Sequence, residues 1–485
     1  MNQPALLRSK YTCAIFVALF SGLPAFGGSI FTPGNLIVSV EGNGVIGGTG
    51  TYTDNQAAPL TLLQYNPVNG TSGPATNVGS LVLPQTPLGN NFAVSGEYGS
   101  SSEGILQLSG DGHYLTIMGY GINAATFNAA ANVPNSFSST GNPALAQSGS
   151  LTGQSYTPVA RVVALIDSYG NVDSSTALYN VFNTNNPRSA YTADGTKIYV
   201  SGQGTGSDAT GGVFYTTRGS SSATAITGLD TTNNTVSQDT RVVSMYNGQL
   251  YVSTDSKGGS NAARSYIGTL GTGAPTTTVG APVQLNGFGT SSTGKYTVTA
   301  GNTNGINTVG SIINLSPESY FFADATTLYV TDSGNGKQTS GTSSLGDGGL
   351  QKWKFDGTKW NLIYTLAAGL NLVANTQSAG TTGLLGLAGM VIGDGTEVEL
   401  FATNYTVGDL DQTYLFGITD LVGATTLPIG LSAESFSIIA TAPSDSNFKG
   451  VSFAPTDLTP EPASVTLLGF GTVCLMFLAR RRIVR

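Results

Sequence analysis

One short unit recurs along this chain, and it constrains the fold more than any other feature. A turn of the Asp/Asn-Gly type leads into a strand that ends in Tyr-Val-Ser/Thr or a close variant. It appears as Asp111-Gly-His-Tyr-Leu-Thr-Ile, Asp194-Gly-Thr-Lys-Ile-Tyr-Val-Ser, Asn247-Gly-Gln-Leu-Tyr-Val-Ser, Asp324-Ala-Thr-Thr-Leu-Tyr-Val-Thr and Asp394-Gly-Thr-Glu-Val-Glu-Leu-Phe. Asp-Gly or Asn-Gly between alternating apolar runs is the strongest short-range hairpin signal, because these residues accept the positive φ of a tight turn. Alternation puts Ile198 and Val200 on one face of a strand and Tyr199 and Ser201 on the other.

Further strand candidates follow each copy: Gly212–Thr217, Arg264–Thr269, Leu350–Phe355 with Trp360–Leu366, and Thr413–Thr419. Copy starts lie 83, 53, 77 and 70 residues apart. A four-stranded propeller blade takes roughly 40–50 residues, so these spacings imply long loops or inserted strands. The Gly/Thr/Asn-rich stretch Phe288–Asn307 reads as one insertion. Asn35–Glu41 reads as a second strand lacking a first, and Phe448–Phe453 as a first strand lacking a second. Pairing them closes a ring and removes exposed sheet edges. The expected fold is therefore all-β: a β-propeller of about six blades, with units starting near 92, 187, 240, 317 and 385 plus the closing blade. Seven blades follow if the insertions contain strands; a β-helix or stacked sandwiches are the structural rivals.

Composition agrees with short strands and tight turns. Gly is 66 of 485 residues, about twice the usual ~7% share. Charged residues are 9%, against about 25% in an ordinary soluble domain. At 40% apolar, with 21 Tyr and 20 Phe, the chain has ample surface to bury and is not a disordered polymer. Residues 28–459 carry 13 basic and 26 acidic residues, a net charge of −13, which repels phosphate backbones and excludes nucleic acid as the expected partner. Cys13 and Cys474 both lie in terminal apolar runs. The region between them has no disulfide framework, thiolate zinc site or cysteine nucleophile.

The two ends read as an address. Arg8 and Lys10 precede the apolar run Thr12–Phe20, which is too short to span a bilayer, and Ala25-Phe26-Gly27 offers small residues for cleavage after Gly27. Residues 1–27 thus read as a signal peptide. At the other end Pro460-Glu461-Pro462 precedes Ala463–Ala479, 17 residues without charge, and then Arg480-Arg481-Arg482. That run is just long enough for a transmembrane helix, and the arginines favour the cytoplasmic side, leaving the body outside. This tail, residues 460–485, resembles the PEP-CTERM sorting signal of Gram-negative bacteria. The resemblance implies recognition by a membrane-embedded exosortase, after a signal peptidase has acted at the front. It also implies an association with exopolysaccharide production.

Chemistry is sparse in the body. The only histidine, His113, flanks a turn, and no Gly-x-Ser-x-Gly elbow accompanies it. One His and no Cys leave no set for a His-rich zinc or copper site. Calcium needs only oxygen ligands. Asp167, Asn171 and Asp173 form the best such cluster, with Asp409-Leu-Asp411 and Asp332-Ser-Gly-Asn335-Gly behind it, yet none has the Asp-x-Asp-x-Asp-Gly spacing. Solvated turn carboxylates are the plain reading; a structural calcium is the functional one. Gly202-Gln-Gly204-Thr-Gly206 lacks a following helix and a Walker lysine, and reads as a loop. Tyr98, Tyr120, Tyr169, Tyr405, Trp353 and Trp360 are candidate sugar-stacking residues, although Trp353 and Trp360 fit better as a cross-strand pair about the Asp356-Gly357 turn.

The expected function is a non-enzymatic surface or matrix protein, with no catalytic residues assigned, that binds polysaccharide or surface proteins. The alternatives are an extracellular polysaccharide lyase or glycoside hydrolase using two carboxylates, and a surface-layer scaffold.

Overall fold

The computed structural model describes residues 29–44, 52–129, 144–204, 208–227, 239–256, 264–288, 295–299, 305–334, 345–428 and 434–457. The expected signal peptide with Gly27 lies outside the described residues, as does the expected tail with Pro460, Glu461, Pro462, Arg480, Arg481 and Arg482. No helix among the described residues is long and apolar enough to cross a membrane.

The protein is all-β. Along the chain run β1 (Leu36–Gly42), β2 (Ala57–Asn66), β3 (Thr76–Val82), the short β4 (Ser95–Glu97), β5 (Gln107–Leu108), β6 (Leu115–Tyr120), β7 (Arg161–Ile166) and β8 (Val172–Leu178). A six-residue helix, α1 (Ala124–Ala129), interrupts this first part. Next come β9 (Pro187–Thr192), β10 (Lys197–Gly202), β11 (Gly212–Thr217) and β12 (Thr224–Ala225), then β13 (Thr240–Tyr246), β14 (Gln249–Ser256), β15 (Arg264–Thr269) and β16 (Val283–Gln284). Among the described residues of the Phe288–Asn307 insertion, β17 (Lys295–Thr297) pairs in a two-stranded ribbon with β18 (Ile312–Asn314), just beyond it. The last strands are β19 (Pro317–Asp324), β20 (Thr327–Asp332), β21 (Gly349–Phe355), β22 (Trp360–Leu366), β23 (Thr381–Ile392), β24 (Glu397–Thr406), β25 (Tyr414–Leu421), β26 (Ser437–Thr441) and β27 (Ser446–Phe453).

Antiparallel pairing groups these strands into four-stranded sheets in simple meander order: β9–β12, β13–β16, β19–β22 and β23–β26. Two more groups, β27-β1-β2-β3 and β5–β8, are joined through β4. The first of these brings the two ends of the body together, with Leu36 opposite Phe453, Val38 opposite Val451 and Val40 opposite Phe448. The innermost strands then touch in a closed circuit: β5 with β9, β9 with β13, β13 with β19, β19 with β23, β23 with β27, and β27 with β5.

A hydroxyl fastens each step of this circuit. Ser39 donates to Gly104 O, Thr116 to Ala190 O, Ser201 to Arg241 O, Ser253 to Glu318 O, Thr331 to Leu385 O and Thr403 to Lys449 O. In every case the donor sits on the second strand of one sheet and the acceptor at the start of the next sheet. Ser201, Ser253 and Thr331 are the residues that end three copies of the recurring sequence unit, and Thr116 lies within a fourth. A bulge on the innermost strand makes the geometry work. Lys449-Gly450 oppose Ser39, Arg241-Val242 oppose Ser253, Glu318-Ser319 oppose Thr331, and Leu385-Gly386 oppose Thr403. Such a bulge leaves one N–H without a ladder partner and re-aims a side chain. The hydroxyl takes up that N–H: Gly450, Val242, Ser319 and Gly386 donate to Ser39, Ser253, Thr331 and Thr403 at 2.7–2.9 Å. Gly450 and Gly386 are demanded by this approach, since a Cβ on either would lie 2.1 or 2.6 Å from the neighbouring sheet's backbone.

Each sheet is buried on both faces, which explains the scarcity of charge. Ile198 and Val200 pack with Met118, Val163 and Phe214 toward the preceding sheet, whereas Tyr199 packs with Val243, Leu250 and Val252 toward the following one. Equivalent clusters fill the other junctions. One expectation about packing needs correction. Trp353 and Trp360 do not stand opposite each other across their hairpin: the register set by the turn puts Phe355 opposite Trp360 and Leu362 opposite Trp353. Trp353 stacks instead on Phe288, with ring centroids 3.9 Å apart. Both tryptophans are buried and do not form a stacking platform for a ligand.

Candidate functional site

Where the innermost strands begin, they surround a pocket of about 320 Å³ lined by Asn55, Glu97, Gly99, Ser100, Ser101, Ser102, Asn186, Arg188, Gln203, Asp239, Arg241, Asp255, Tyr405 and Asp409. The bulges explain why charge collects here. Arg241, Glu318 and Lys449 are each the first residue of a bulge pair, and each turns inward to other charged or polar groups rather than into an apolar junction.

Arg241 lies among three carboxylates: Asp239 at 3.6 Å, Asp255 at 3.5 Å and Glu318 at 3.6 Å. Burial alone would lower its pKa, but Glu318, Asp239 and Asp255 outweigh that and raise it, so the guanidinium stays charged. Glu318, fully enclosed, is pushed by burial up to about 7 despite the attraction of Arg241. Arg188 spends its donors on Ser102 Oγ at 3.0 Å, Gln203 Oε1 at 2.9 Å, Thr240 O at 3.1 Å and the Asp239 carboxylate. On the opposite wall Lys449 pairs with Glu41 at 3.4 Å and donates to Ser100 O.

A second group sits beside this mesh. The backbone N–H of Glu97 donates to Glu103 Oε2 at 3.3 Å, so the two carboxyls are neighbours. Glu97 accepts the N–H of Ala146, while Glu103 accepts Tyr120 Oη–H and Asn186 Nδ2–H. Arg161 lies 4.6 Å over the Tyr120 ring and donates to the carbonyls of Ser148 at 2.8 Å and Val159 at 3.0 Å. Burial, and next the charge of Glu103, raise the Glu97 carboxyl well above the carboxylate range. Burial likewise raises Glu103 against its hydrogen bonds from Tyr120 and Asn186.

The residues singled out in the sequence are distributed differently. Tyr405 lines the pocket and is the one aromatic among the described lining residues. Tyr120 is enclosed behind Glu103, and Tyr98 is buried too. His113 lies outside the pocket lining, its Nδ1 3.2 Å from Thr456 O; Ser109 Oγ and Asp111 Oδ1, bonded to each other at 2.6 Å, accept its backbone N–H at 3.1 Å each and so serve the turn rather than the imidazole. Asp167, Asn171 and Asp173 do not converge as a calcium cage. Asp167 Oδ1 accepts the N–H groups of Tyr169 and Asn171, and Asp167 Oδ2 accepts Asn171 Nδ2–H at 2.8 Å. Asp173 accepts Ser175 and an ion pair from Arg218 at 2.6 Å. The loop is thus shaped by its own donors. Asp332 is enclosed and accepts Ser316 N–H at 2.7 Å and Gln351 Nε2–H at 2.8 Å. Among the described residues no group of three or more His, Cys, Asp or Glu side chains is placed to hold a metal.

Chemically, the pocket offers alternating donors and acceptors. Asp239 and Asp255 are committed to arginine, and Glu97 is the lining carboxyl whose surroundings, burial first, favour its neutral form. The sequence signal for these residues was present but unread. Pro187-Arg188, Thr240-Arg241 and Pro317-Glu318 each open the innermost strand of a sheet with a charge in second position.

No family model matches the chain, and no curated protein matches it. Among solved structures, a polysaccharide lyase of family PL25, an ulvan lyase, is similar over 83% of this chain and 85% of its own, at 10% identity and a TM-score of 0.33. Apo AztD from Citrobacter koseri is similar over 86% and 97%, at 9% identity and 0.28. A Synechocystis apocarotenoid oxygenase is similar over 89% and 94%, at 10% identity and 0.32. Likeness of this degree assigns neither ligand nor activity.

Proposed function

We propose that this chain is an exported surface or matrix protein, built as a six-bladed β-propeller, whose central pocket binds a saccharide without transforming it. The closed circuit of innermost strands and the six hydroxyl fasteners support the propeller. The Pro460-Glu461-Pro462 tail and the N-terminal run support export and sorting. The observation that carries the binding role is the pocket lining of carboxylate, guanidinium, amide and hydroxyl groups, because a polyol needs many directional partners and little apolar wall. The test is a glycan array probed with the full-length chain in detergent, with and without chelator. Selective binding that survives chelation is expected; binding to no glycan overturns the saccharide role. A reporter fused at residue 450 that stays in the cytosol overturns export.

One observation favours a second reading, a carbohydrate-active enzyme. A protonated, enclosed carboxyl such as Glu97 is what a general acid requires. Release of reducing ends or unsaturated uronates from a bound glycan, lost in Glu97→Gln, would establish it.

A further inference from the structure

The charges of the pocket decide what kind of saccharide it takes. Among the described residues its lining carries four carboxyls, Glu97, Asp239, Asp255 and Asp409, against two guanidiniums, Arg188 and Arg241. Neither guanidinium presents an uncommitted fork. Arg188 is bonded to Ser102, Gln203, Thr240 and Asp239, and Arg241 faces a carboxylate on each of its three edges. A uronate or sulfated sugar entering here would add negative charge to an enclosed site that already has an excess of it, and with no bidentate partner to offset the cost. An ammonium has the opposite effect. It brings three donors and a positive charge to a lining with more carboxyls than guanidiniums.

Resting on the saccharide reading above, we infer that the central pocket selects sugars bearing a protonated amine, and that Glu97 is the residue that receives it. Glu97 is 5% exposed and forms part of the lining. Its neighbours favour a proton on the Glu97/Glu103 pair while the pocket is empty. Glu103, Glu41 and Asp54 all add negative charge at Glu97, against which stand the Ala146 N–H on Glu97 itself, Lys449 on Glu41 and the charge of Arg161. Around Glu103 stand Tyr120, Asn186 and, one layer back, Arg161. When an ammonium docks, one positive charge arrives at Glu97 and the proton of the carboxyl pair departs to solvent. At pH 6, where the amine is already protonated, binding is therefore coupled to proton release; at pH 8 the amine takes up a proton on docking and the net release shrinks.

The test is calorimetric titration of the full-length chain with three disaccharide probes: a β-1,4-glucosamine dimer, its N-acetylated counterpart and a diuronide. Each is measured at pH 6 and pH 8, where the amines remain largely protonated at the lower value, and in buffers of different ionisation enthalpy. The amine probe is expected to bind about tenfold more tightly than the N-acetylated one at pH 6, the scale of one charge-assisted hydrogen bond. The diuronide is expected to bind more weakly than either, and the buffer series at pH 6 to report net proton release with the amine alone. Glu97→Gln is expected to bring the amine and N-acetyl affinities together. A diuronide that binds best, equal affinities for amine and N-acetyl probes, or amine binding without proton release at pH 6 overturns the inference and leaves saccharide binding standing. Failure of all three probes overturns both. The wild-type ratios decide the matter even where Glu97→Gln does not fold.

Discussion

Replacing Thr331 by Val tests whether the hydroxyls hold the sheets together. Thr331 is fully buried on β20. Its Oγ1 donates to Leu385 O across the junction at 2.8 Å and accepts Ser319 N–H from its own sheet at 2.8 Å. Valine nearly preserves the volume, so no cavity term enters. What is lost is the partner of one buried carbonyl and one buried N–H. At about 1–3 kcal/mol for each group left unsatisfied, the expected cost is about 2–6 kcal/mol. For a body of this size, at ~2.1 cal/mol/K per residue, that is a fall in Tm of about 2–7 °C. Thermal and urea unfolding, followed by tryptophan fluorescence, measure it directly: Trp353 and Trp360 lie on β21 and β22, in the same sheet as Thr331. Thr217→Val, at an exposed position of β11, is the control and should change stability by no more than about 0.5 kcal/mol. Ser253→Ala should resemble Thr331→Val, since Ser253 joins Glu318 O to Val242 N–H in the same manner. If Thr331→Val and Ser253→Ala both unfold with the control, the sheets are held by apolar packing alone and the fastener argument is wrong.

Other outcomes follow from the buried charges. Glu318 binds a proton more tightly folded than unfolded, its pKa rising from 4.5 to about 7. The unfolded chain gives up that proton first as pH rises, so stability should decline between about pH 4.5 and 7 and the decline should shrink in Glu318→Gln, as pH-dependent urea unfolding would show. Asp173, Asp194 and Asp324 are shifted the other way, below 3.8, so their contribution is lost only in more acidic solution. Lys352 and Asp420 form an enclosed ion pair at 2.9 Å, with Tyr364 Oη–H also donating to Asp420 at 2.6 Å. Lys352→Met should cost about 3–5 kcal/mol by leaving a buried carboxylate without its cation, and Asp420→Asn in the same chain should recover part of the loss in the melting curve. Because Asp167 and Asp173 are occupied by N–H, hydroxyl and guanidinium donors, chelator should leave Tm unchanged and Asp173→Ala should cost no more than about 1 kcal/mol.

Much of the strand pattern was legible in the sequence, because alternation and turn chemistry are local. The segments Gly212–Thr217 and Arg264–Thr269 were read with the bounds the structure gives. The pairing of the two ends was legible as well, since two half-sheets with unsatisfied edges have one economical partner each. Bulges were not legible. Two residues opposing one leave no mark in an alternating pattern, yet bulges are what place Arg241, Glu318 and Lys449 among other charges.

By itself, then, the sequence determined that this chain makes many short strands joined by tight turns, with a Ser or Thr closing three of the five repeats. Its two ends carry the charged and apolar runs on which the export proposal rests. Only the tertiary structure decided what those hydroxyls do and which charges meet. Arg188, Arg241 and Glu318 belong to three successive sheets, and Glu97 to a segment some 220 residues before Glu318. A charge at the head of a strand looks like any solvated terminus until the ring closes. Closure then removes water from all of those strand heads at once, and the groups left inside must satisfy one another.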